Sequence, residues 1–514
     1  MLRLFYPFFW DNCHWQILGE RCTISSANLY PDRWMGTQSL SIHAHFYQPP
    51  REDPLTGRIP IEVGAAPFQN WNERIHAECY RPNAELHNFE QISFNVGPTL
   101  LAWMAHHDPQ TVAKIVAQDA ANLRRNGVGN AIAQGYNHTI LPLGSRSDKI
   151  TQVAWGCAEF RHRFGRDPQG LWLPETAVDL ETLEVLEQAG LRFTILAPWQ
   201  AGDGSGEVDP TEPYRVELPN GRRFTVFFYQ KDLSTRISFD PSATVNADDF
   251  ARHVLMSYFN PEKTRRGEPQ LILAASDGEL YGHHQHLRDR FLARLMDGAV
   301  SPLDLHNTYP ALWLQQHPPR QTIGIREETS WSCHHGVLRW KTACGCTPGD
   351  AAWKTNLRIA LERLAESLDG VYKETVRPLV GDPLELRDRY IHVILGEMSA
   401  AQLIEEQAGR ALTGEQIRRV HLLLEAQRER QRMFTSCGWF FEDFDRIEPR
   451  NNVAYAAQAV LLTLQATGID LSGMALRDLA LVRSARSGLT AERVFLRHME
   501  RACSQAGEQI GFAD

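Results

Sequence analysis

The sequence predicts an α/β protein whose first part is a barrel or near-barrel of parallel strands and whose last part is all helical. Three observations predict it. Between about residues 39 and 310, short β-branched or aromatic runs alternate with amphipathic stretches, the signature of repeated βα units. Beyond about residue 350 the apolar residues recur at helical spacing, with charged faces between them. At 514 residues the chain exceeds one ordinary core, so two or three units are expected.

The candidate strands are residues 40–46, 92–95, 131–134, 170–173, 193–196, 224–228 and 271–275. Seven strands are more than a small open sheet requires, which is why a barrel is expected. After the second strand, residues 98–125 read PTLLAWMAHHDPQTVAKIVAQDAANLRR, and Asp108-Pro109 divides that pattern into two helices. The later helices are expected over 351–368, 384–405, 413–436, 451–467 and 490–506. These elements divide the chain into a barrel over 38–320, a Trp/Cys/His-rich joint or cleft loop over 321–349, and a helical domain over 350–514. Residues 1–37 show neither period and read as an extension. Their apolar run from Leu4 is broken by Pro7 and followed by Asp11 with no small-residue cleavage site, unlike a signal peptide.

Composition excludes several function classes. No stretch approaches the roughly 20 apolar residues that cross a bilayer, so a soluble protein is expected. A net charge of -9 supplies no basic footprint for nucleic acid, and a neutral or weakly charged substrate fits better. Nine cysteines, an odd number spread thinly through a long chain, argue against a disulfide framework and for a reducing cytoplasm. Composition assigns no oligomeric state.

In a parallel barrel the reactive groups gather where the strands end, and three segments carry polar residues there. In SIHAHFYQPPREDP, His43 and His45 share one strand face, where they can hold a metal, hydrogen-bond a polar ligand or sit satisfied in the core. In GLWLPETAVD, Pro174 cannot continue a central ladder, so Glu175 falls at the strand's end. A carboxylate there is a natural nucleophile or base, whereas Thr176 and Asp179 can serve as cap for the helix that follows. In LILAASDGELYGHH a continuous apolar strand ends in Asp277 and Glu279, followed by His283 and His284. Crowding acids and histidines at the mouth of an apolar strand is expensive unless they act on something. Cleaving a glycosidic bond needs two carboxyls, one to attack the anomeric carbon and one to protonate the leaving oxygen. Glu175 and one of Asp277 or Glu279 can supply them from separate strands.

Residues 330–346, SWSCHHGVLRWKTACGC, have the composition of a zinc site in Cys333, His334, His335, Cys344 and Cys346, but their spacing matches no standard structural zinc pattern. The reading adopted is therefore no metal: a loop overhanging the cleft through Trp331, Arg339 and Trp340, with the cysteines as small buried apolar residues.

With these residues in view, the sequence resembles glycoside hydrolase family 57, in the branch with an uncharacterised C-terminal helical domain, over about residues 39–450. The family's His-x-His with a following Gln-Pro resembles His43-Ala44-His45 and Gln48-Pro49. GNAIAQGYNHTILPL resembles the second motif through His138 and Leu141-Pro142, although Ala131-Ile132-Ala133 stand where many members carry a glutamate. Trp172, Pro174 and Glu175 match Trp-x-Pro-Glu; Asp277-Gly278-Glu279 and Gly282-His283 match the fourth motif; TSCGWFFEDF, centred on Trp439, resembles the fifth.

The resemblance implies an incomplete (β/α)7 barrel followed by a helical domain that covers the cleft. It implies α-glucan as substrate and no cofactor. It also implies a retaining mechanism of amylase, 4-α-glucanotransferase or branching type, with Glu175 as nucleophile and Asp277 as acid/base. His43, His45, His138, Glu279 and His283 are then expected to contact substrate, and Trp172 and Trp439 either to stack on sugar or to pack in the core. Glu279 is expected to raise the pKa of Asp277 by like charge. Two rival readings use the same residues: a metal-dependent deacetylase or α-mannosidase-like hydrolase with His43, His45 and Asp277 as ligands, and a carbohydrate-binding protein without activity.

Overall fold

Seven parallel strands close into a ring, and they are the seven the sequence predicts. In the computed structural model, which describes residues 38–202 and 208–511 and side chains as far as residue 504, the chain runs through β1 (Gln38–Phe46), β2 (Ser93–Val96), β3 (Ala133–Gln134), β4 (Leu171–Trp172), β5 (Phe193–Leu196), β6 (Tyr214–Glu217), β7 (Arg223–Phe228) and β8 (Gln270–Asp277). The expected extension over 1–37 lies outside the described residues. β1 is the hub, parallel to both β2 and β8, with Ala44 facing Phe94 and His45 facing Asp277. β3 pairs with β4 and β5 with β7, also in parallel.

Single contacts join these pairs, which is why β3 and β4 are shorter than expected. Phe94 bridges to Ala131 and Gly170 to Phe193. The ring is closed between β7 and β8 by Gln230 N–H donating to Leu273 O at 2.7 Å. The seam is thin, as an incomplete barrel requires. β6 is a strand that period alone does not reveal. It turns back antiparallel onto β7 through Asn220-Gly221, where Gly221 takes a φ of 78° that favours glycine.

Inside the ring, Trp172, Phe193, Ile195, Phe227, Leu271, Leu273 and Ala275 form one buried cluster. Outside it, helices cover the strands, among them Pro98–His107 and Pro109–Asn126. These are two helices because Pro109 starts a new first turn while Asp108 caps it, accepting from Thr111 N–H at 3.2 Å.

Beyond residue 350 every regular element among the described residues is a helix. Ala352–Val380 runs past its expected end because its buried stripe continues from Leu357 through Leu361, Leu364, Leu368, Tyr372 and Val376, a repeat of three to four residues. The helix expected over 384–405 is broken instead, with Gly396 at a φ of 74° between Ile391–Ile394 and Ala400–Ala408. Gly414–Arg432 and Ile447–Thr467 pack together as the centre of this region. Its core is continuous with the barrel: Ile140 and Ala177, from the loops after β3 and β4, sit in one cluster with Trp340, Leu357 and Trp439. Among the described residues, no helix is long and apolar enough to cross a membrane.

Candidate active site

The C-terminal ends of the strands open into a cavity of about 620 Å3. Its lining includes His45, His138, Glu175, Asp277 and Glu279, together with Tyr47, Trp199, Tyr229, Trp331, Phe440 and Phe441. Pro174 ends β4 as expected and throws the chain into a tight turn in which Glu175 and Thr176 have φ values of 57° and 49°. A left-handed conformation costs an L-residue roughly 1–2 kcal/mol, so the turn must be held from outside. Thr176 N–H donates to Leu173 O at 2.8 Å, Gln200 accepts from the Thr176 hydroxyl, and Trp331 N–H donates to Glu175 O at 3.0 Å. The cap of the next helix is Asp179, which accepts from Thr182 N–H at 2.7 Å and leaves Glu175 free of that duty.

The Glu175 carboxylate meets two donors on one oxygen: Trp331 Nε1–H at 3.0 Å and Ser332 Oγ–H at 2.6 Å, both onto Oε2. Burial pushes its pKa up, and those two donors with the Arg339 guanidinium oppose the shift without cancelling it. Asp277, the last residue of β8, is exposed to the cavity it lines and is otherwise enclosed by protein. Burial there, then the charge of Glu175, push its pKa up to about 7.

Glu279 follows in a turn that only glycine at 278 allows, since a Cβ there would meet the Phe46 ring at 2.3 Å. Its Oε1 accepts from Tyr80 OH at 2.7 Å and Tyr47 N–H at 3.0 Å, and burial pushes it up to about 8. The expected direction of influence is therefore reversed: Glu175 raises Asp277, and Asp277 in turn raises Glu279. A group itself neutral at pH 7 exerts no like-charge repulsion.

The histidines form a layered floor. His43 is fully buried beneath the cavity, its two ring nitrogens paired with Ser93 Oγ at 2.9 Å and Asn95 Oδ1 at 3.2 Å. His45 pairs with Asn95 through Nδ1 and with His138 Nε2 through Nε2 at 3.3 Å. Burial holds His43 and His45 down to about 3, so both are neutral. Trp172 lies under both rings, 4.6 Å from the centre of His43 and 5.3 Å from that of His45. His138 is sandwiched from the other side by Tyr47 at 3.8 Å and pairs with Ser436 of the helical region at 2.6 Å.

The residues expected to touch substrate thus divide. His45, His138 and Glu279 line the cavity, as do the two acids. His43 and Trp172 support it from beneath without lining it, because both are shut off by the rings above them. His283 does not line it either. It pairs with Glu78, and its neighbour His284 takes the lining position. Trp439 is fully buried in the helical core, stacked on Phe434 and donating from Nε1 to Lys354 O at 3.3 Å, while its neighbours Phe440 and Phe441 reach the cavity instead. Of the loop residues, Trp331 and Arg339 overhang the cleft and Trp340 is core. Tyr47, Trp199 and Tyr229 had no motif to mark them beyond their position just past β1, β5 and β7. The set His43, His45 and Asp277 does not converge as metal ligands: His43 spends both nitrogens on Ser93 and Asn95. Among the described residues the only potential metal-ligand group is Cys333, His335, Cys344 and Cys346.

The fold and its mouth define a class: a (β/α) barrel with a cleft holding paired acids, aromatic rings and neutral histidines. Residues 43–326 match the model of Glycosyl hydrolase family 57, and the chain belongs to that family. Residues 350–511 match a domain of unknown function, DUF3536. The chain is 22% identical over 214 residues to an alpha-amylase of Pyrococcus abyssi, covering 41% of this chain and 30% of that one. It is 25% identical over 174 residues to a 4-alpha-glucanotransferase of Thermococcus litoralis, covering 33% and 25%. These matches span less than a third of each relative's length. Its fold is similar to that of an exo-type maltose-forming amylase from Pyrococcus sp. ST04, with TM-score 0.72, 16% identity and coverage of 90% and 88%. It is also similar to a family 57 branching enzyme from Thermococcus kodakaraensis, with TM-score 0.56, 15% identity and coverage of 90% and 94%.

Proposed function

We propose that the chain is a retaining glycoside hydrolase or transglycosylase acting on α-glucans, with Glu175 as nucleophile and Asp277 as acid/base. The observation that carries this reading is the electrostatic division of labour between the two acids that line one cavity. Glu175 has two donors and a cation to support its anion, whereas Asp277 has burial and the Glu175 charge to keep its proton near pH 7. One carboxylate attacks the anomeric carbon, forming a glycosyl ester, as the other acid gives its proton to the departing oxygen. Asp277, now ionised, takes a proton from the incoming acceptor. Water gives hydrolysis, and a glucan hydroxyl gives transfer.

The coupling is self-consistent, because forming the ester removes the Glu175 charge and with it part of what raised Asp277. Its pKa then falls, and it is readier to stay ionised until the acceptor arrives. Neutral His45 and His138 form an uncharged floor under the sugar, free to hydrogen-bond it only by exchanging their contact with each other, and the rings of Trp199, Tyr229 and Trp331 offer faces for the sugars. The family resemblance of the relatives supplies the α-glucan. A reducing cytoplasm suits seven described cysteines of which none is in a disulfide.

The test is incubation with maltooligosaccharides and amylose, resolving products by size and linkage, for the wild type and Glu175→Ala. The reading expects the variant to lose turnover by at least about 10³-fold and to regain it with azide, which attacks in place of the missing carboxylate and yields the inverted β-glycosyl azide. A Glu175→Ala protein that turns over glucan like the wild type would sink it.

A further inference from the structure

The loop that supplies both donors to Glu175 ends in a cluster of three thiols and one imidazole. Cys333, His335, Cys344 and Cys346 each point one ligand atom inward, and these four atoms lie within 4.8 Å of one another. Cys333 Sγ is 3.6 Å from Cys344 Sγ, and His335 Nδ1 is 3.2 Å from Cys344 Sγ and 3.4 Å from Cys346 Sγ. With Zn–S of about 2.3 Å and Zn–N of about 2.0 Å, a tetrahedral centre sets its sulfurs about 3.8 Å apart and its nitrogen about 3.5 Å from each. These three separations each lie within about 0.3 Å of the corresponding tetrahedral edge. The neighbouring His334 is left out of the cluster. We infer that Cys333, His335, Cys344 and Cys346 bind one Zn2+, and that this clip fixes Trp331 and Ser332 against Glu175.

Three features bear on the kind of site. Four protein ligands close a tetrahedral zinc and leave no open position, so the metal is structural. Thiolates with one imidazole select zinc over the hard cations magnesium and calcium. The surrounding segment also has little else to order it. Between residues 323 and 351 the only regular element is the single turn Leu338–Trp340. Gly336, at a φ of 78°, bends the chain so that Cys333 and His335 face back toward Cys344, and a Cβ there would strike Glu328 O at 2.2 Å. Arg339 donates to Cys346 O at 3.2 Å while also lining the cavity, and Lys354 donates to Thr347 Oγ1 at 2.7 Å just beyond the cluster. Such cations offset the net negative charge of a zinc bound by three thiolates.

The link to the cleft is direct. Cys333 follows Ser332, whose hydroxyl donates to Glu175 Oε2, and Trp331 donates to the same oxygen and to the Glu175 backbone. Without a cross-link, the donors sit on an irregular loop held on one side by Val178 N–H on Thr329 O and Trp199 Nε1–H on Ser330 O, and beyond Ser332 by Ser330 Oγ–H on Gly336 O and the burial of Val337 and Trp340. The spacing, Cys-x-His then eight residues then Cys-x-Cys, is one that sequence patterns do not flag.

The metal part of this inference stands independently of the proposed function; the positioning part rests on Glu175 being the nucleophile. The experiment is elemental analysis of the full chain, purified without chelator or a metal-affinity tag, for the wild type, Cys344→Ser, Cys346→Ser and His334→Ala. Zinc near one per chain in the wild type and His334→Ala, and below about a tenth in both serine variants, is expected. Should the serine variants fail to fold, growth in cobalt supplies a second reading on the wild type, through the thiolate-to-cobalt charge-transfer and intense visible bands of a tetrahedral sulfur site. Metal-free protein in which Cys333, Cys344 and Cys346 all react as free thiols, or with a Cys333–Cys344 disulfide, overturns the site, as does loss of zinc in His334→Ala equal to that in the serine variants. For the positioning role, removing zinc is expected to lower kcat about tenfold while KM changes less, with restoration on adding Zn2+. A zinc-free protein of unchanged kcat overturns that role and leaves the site standing.

Discussion

The Ser332 hydroxyl donates to Glu175 Oε2 at 2.6 Å from a loop 157 residues further along the chain. A barrel strand and a distant joint thus define one carboxylate between them. Hydrogen bonds to an anion favour its charged form, so Ser332 opposes the burial that raises the Glu175 pKa.

Ser332→Ala is therefore expected to raise the Glu175 pKa further and to move the acidic limb of kcat/KM to higher pH. At the pH optimum kcat falls by about 10- to 100-fold, the scale of one lost donor to a charged group. Trp331→Phe, which removes the second donor and keeps a ring, shifts the limb in the same direction. A pH-rate profile from pH 4 to 9 checks both, and an unmoved acidic limb in both variants counts against the role given to Oε2.

Asp277 sets the other limb. Its proton is held below about pH 7 and lost above it, so kcat/KM for a natural glucan is expected to decline tenfold per pH unit once pH exceeds that value. Asp277→Asn lowers turnover of glucans by about 10²- to 10⁴-fold. It slows the first step far less on an aryl glycoside whose leaving group needs no proton, and the glycosyl-enzyme then accumulates, visible by intact mass. Equal loss on both substrates contradicts the acid role. In Glu175→Gln the charge that raises Asp277 is gone, and its pKa, followed by carboxyl NMR, moves down toward the usual range.

How much of this was legible beforehand follows from what each residue depends on. The seven ring strands are readable because each is a local run of β-branched or aromatic residues, and Glu175 and Asp277 because each stands directly at such a run's end. The supporting partners are not, since they come from afar: Asn95 binds His43 and His45 from β2, and Ser436 reaches His138 across 298 positions. Trp439 and His283 show the limit of position within a motif. Which of two adjacent residues faces the cleft depends on a helix turn or a loop bend, and His284 and Phe440 won those places. The Cys/His cluster failed the spacing test because its geometry comes from the bend at Gly336, not from a fixed interval.

Glu279 makes a prediction about stability. The residue is 4% exposed and its carboxyl is pushed up to about 8, so the folded state holds a proton that the unfolded chain releases near pH 4.5. A raised carboxyl pKa means that stability is unaffected below about pH 4.5 and declines as pH rises from there to about 8. Glu279→Gln keeps an oxygen to accept from Tyr47 N–H and Tyr80 OH and has nothing to titrate. Its stability is expected to exceed that of the wild type at pH 9 by about 2 kcal/mol, with the difference vanishing at pH 4.5. Denaturant unfolding at the two pH values measures it. In the same variant the basic limb of activity stays near pH 7, because Glu175 rather than Glu279 raises Asp277.

The turn that presents Asp277 depends on one missing side chain. A Cβ on Gly278 would lie 2.3 Å from the Phe46 ring, and that ring is fully buried between Tyr80 and Phe89, at centroid distances of 6.0 and 5.0 Å. It has nowhere to swing, so Gly278→Ala must push either the ring or the turn. Overpacking of this kind costs about 1–3 kcal/mol, and moving the turn displaces Asp277 at its first residue. The expected outcome is a lower midpoint in urea together with a loss of kcat larger than the loss of substrate binding. Phe46→Leu makes room while leaving a small void and is itself destabilising. Combined with Gly278→Ala it is expected to recover part of both losses, giving a coupling of about 1 kcal/mol or more in the double-mutant cycle. Strict additivity of the two substitutions would mean that the ring does not set the turn, and the position of Asp277 would then have to be fixed by its register with His45 on β1 alone.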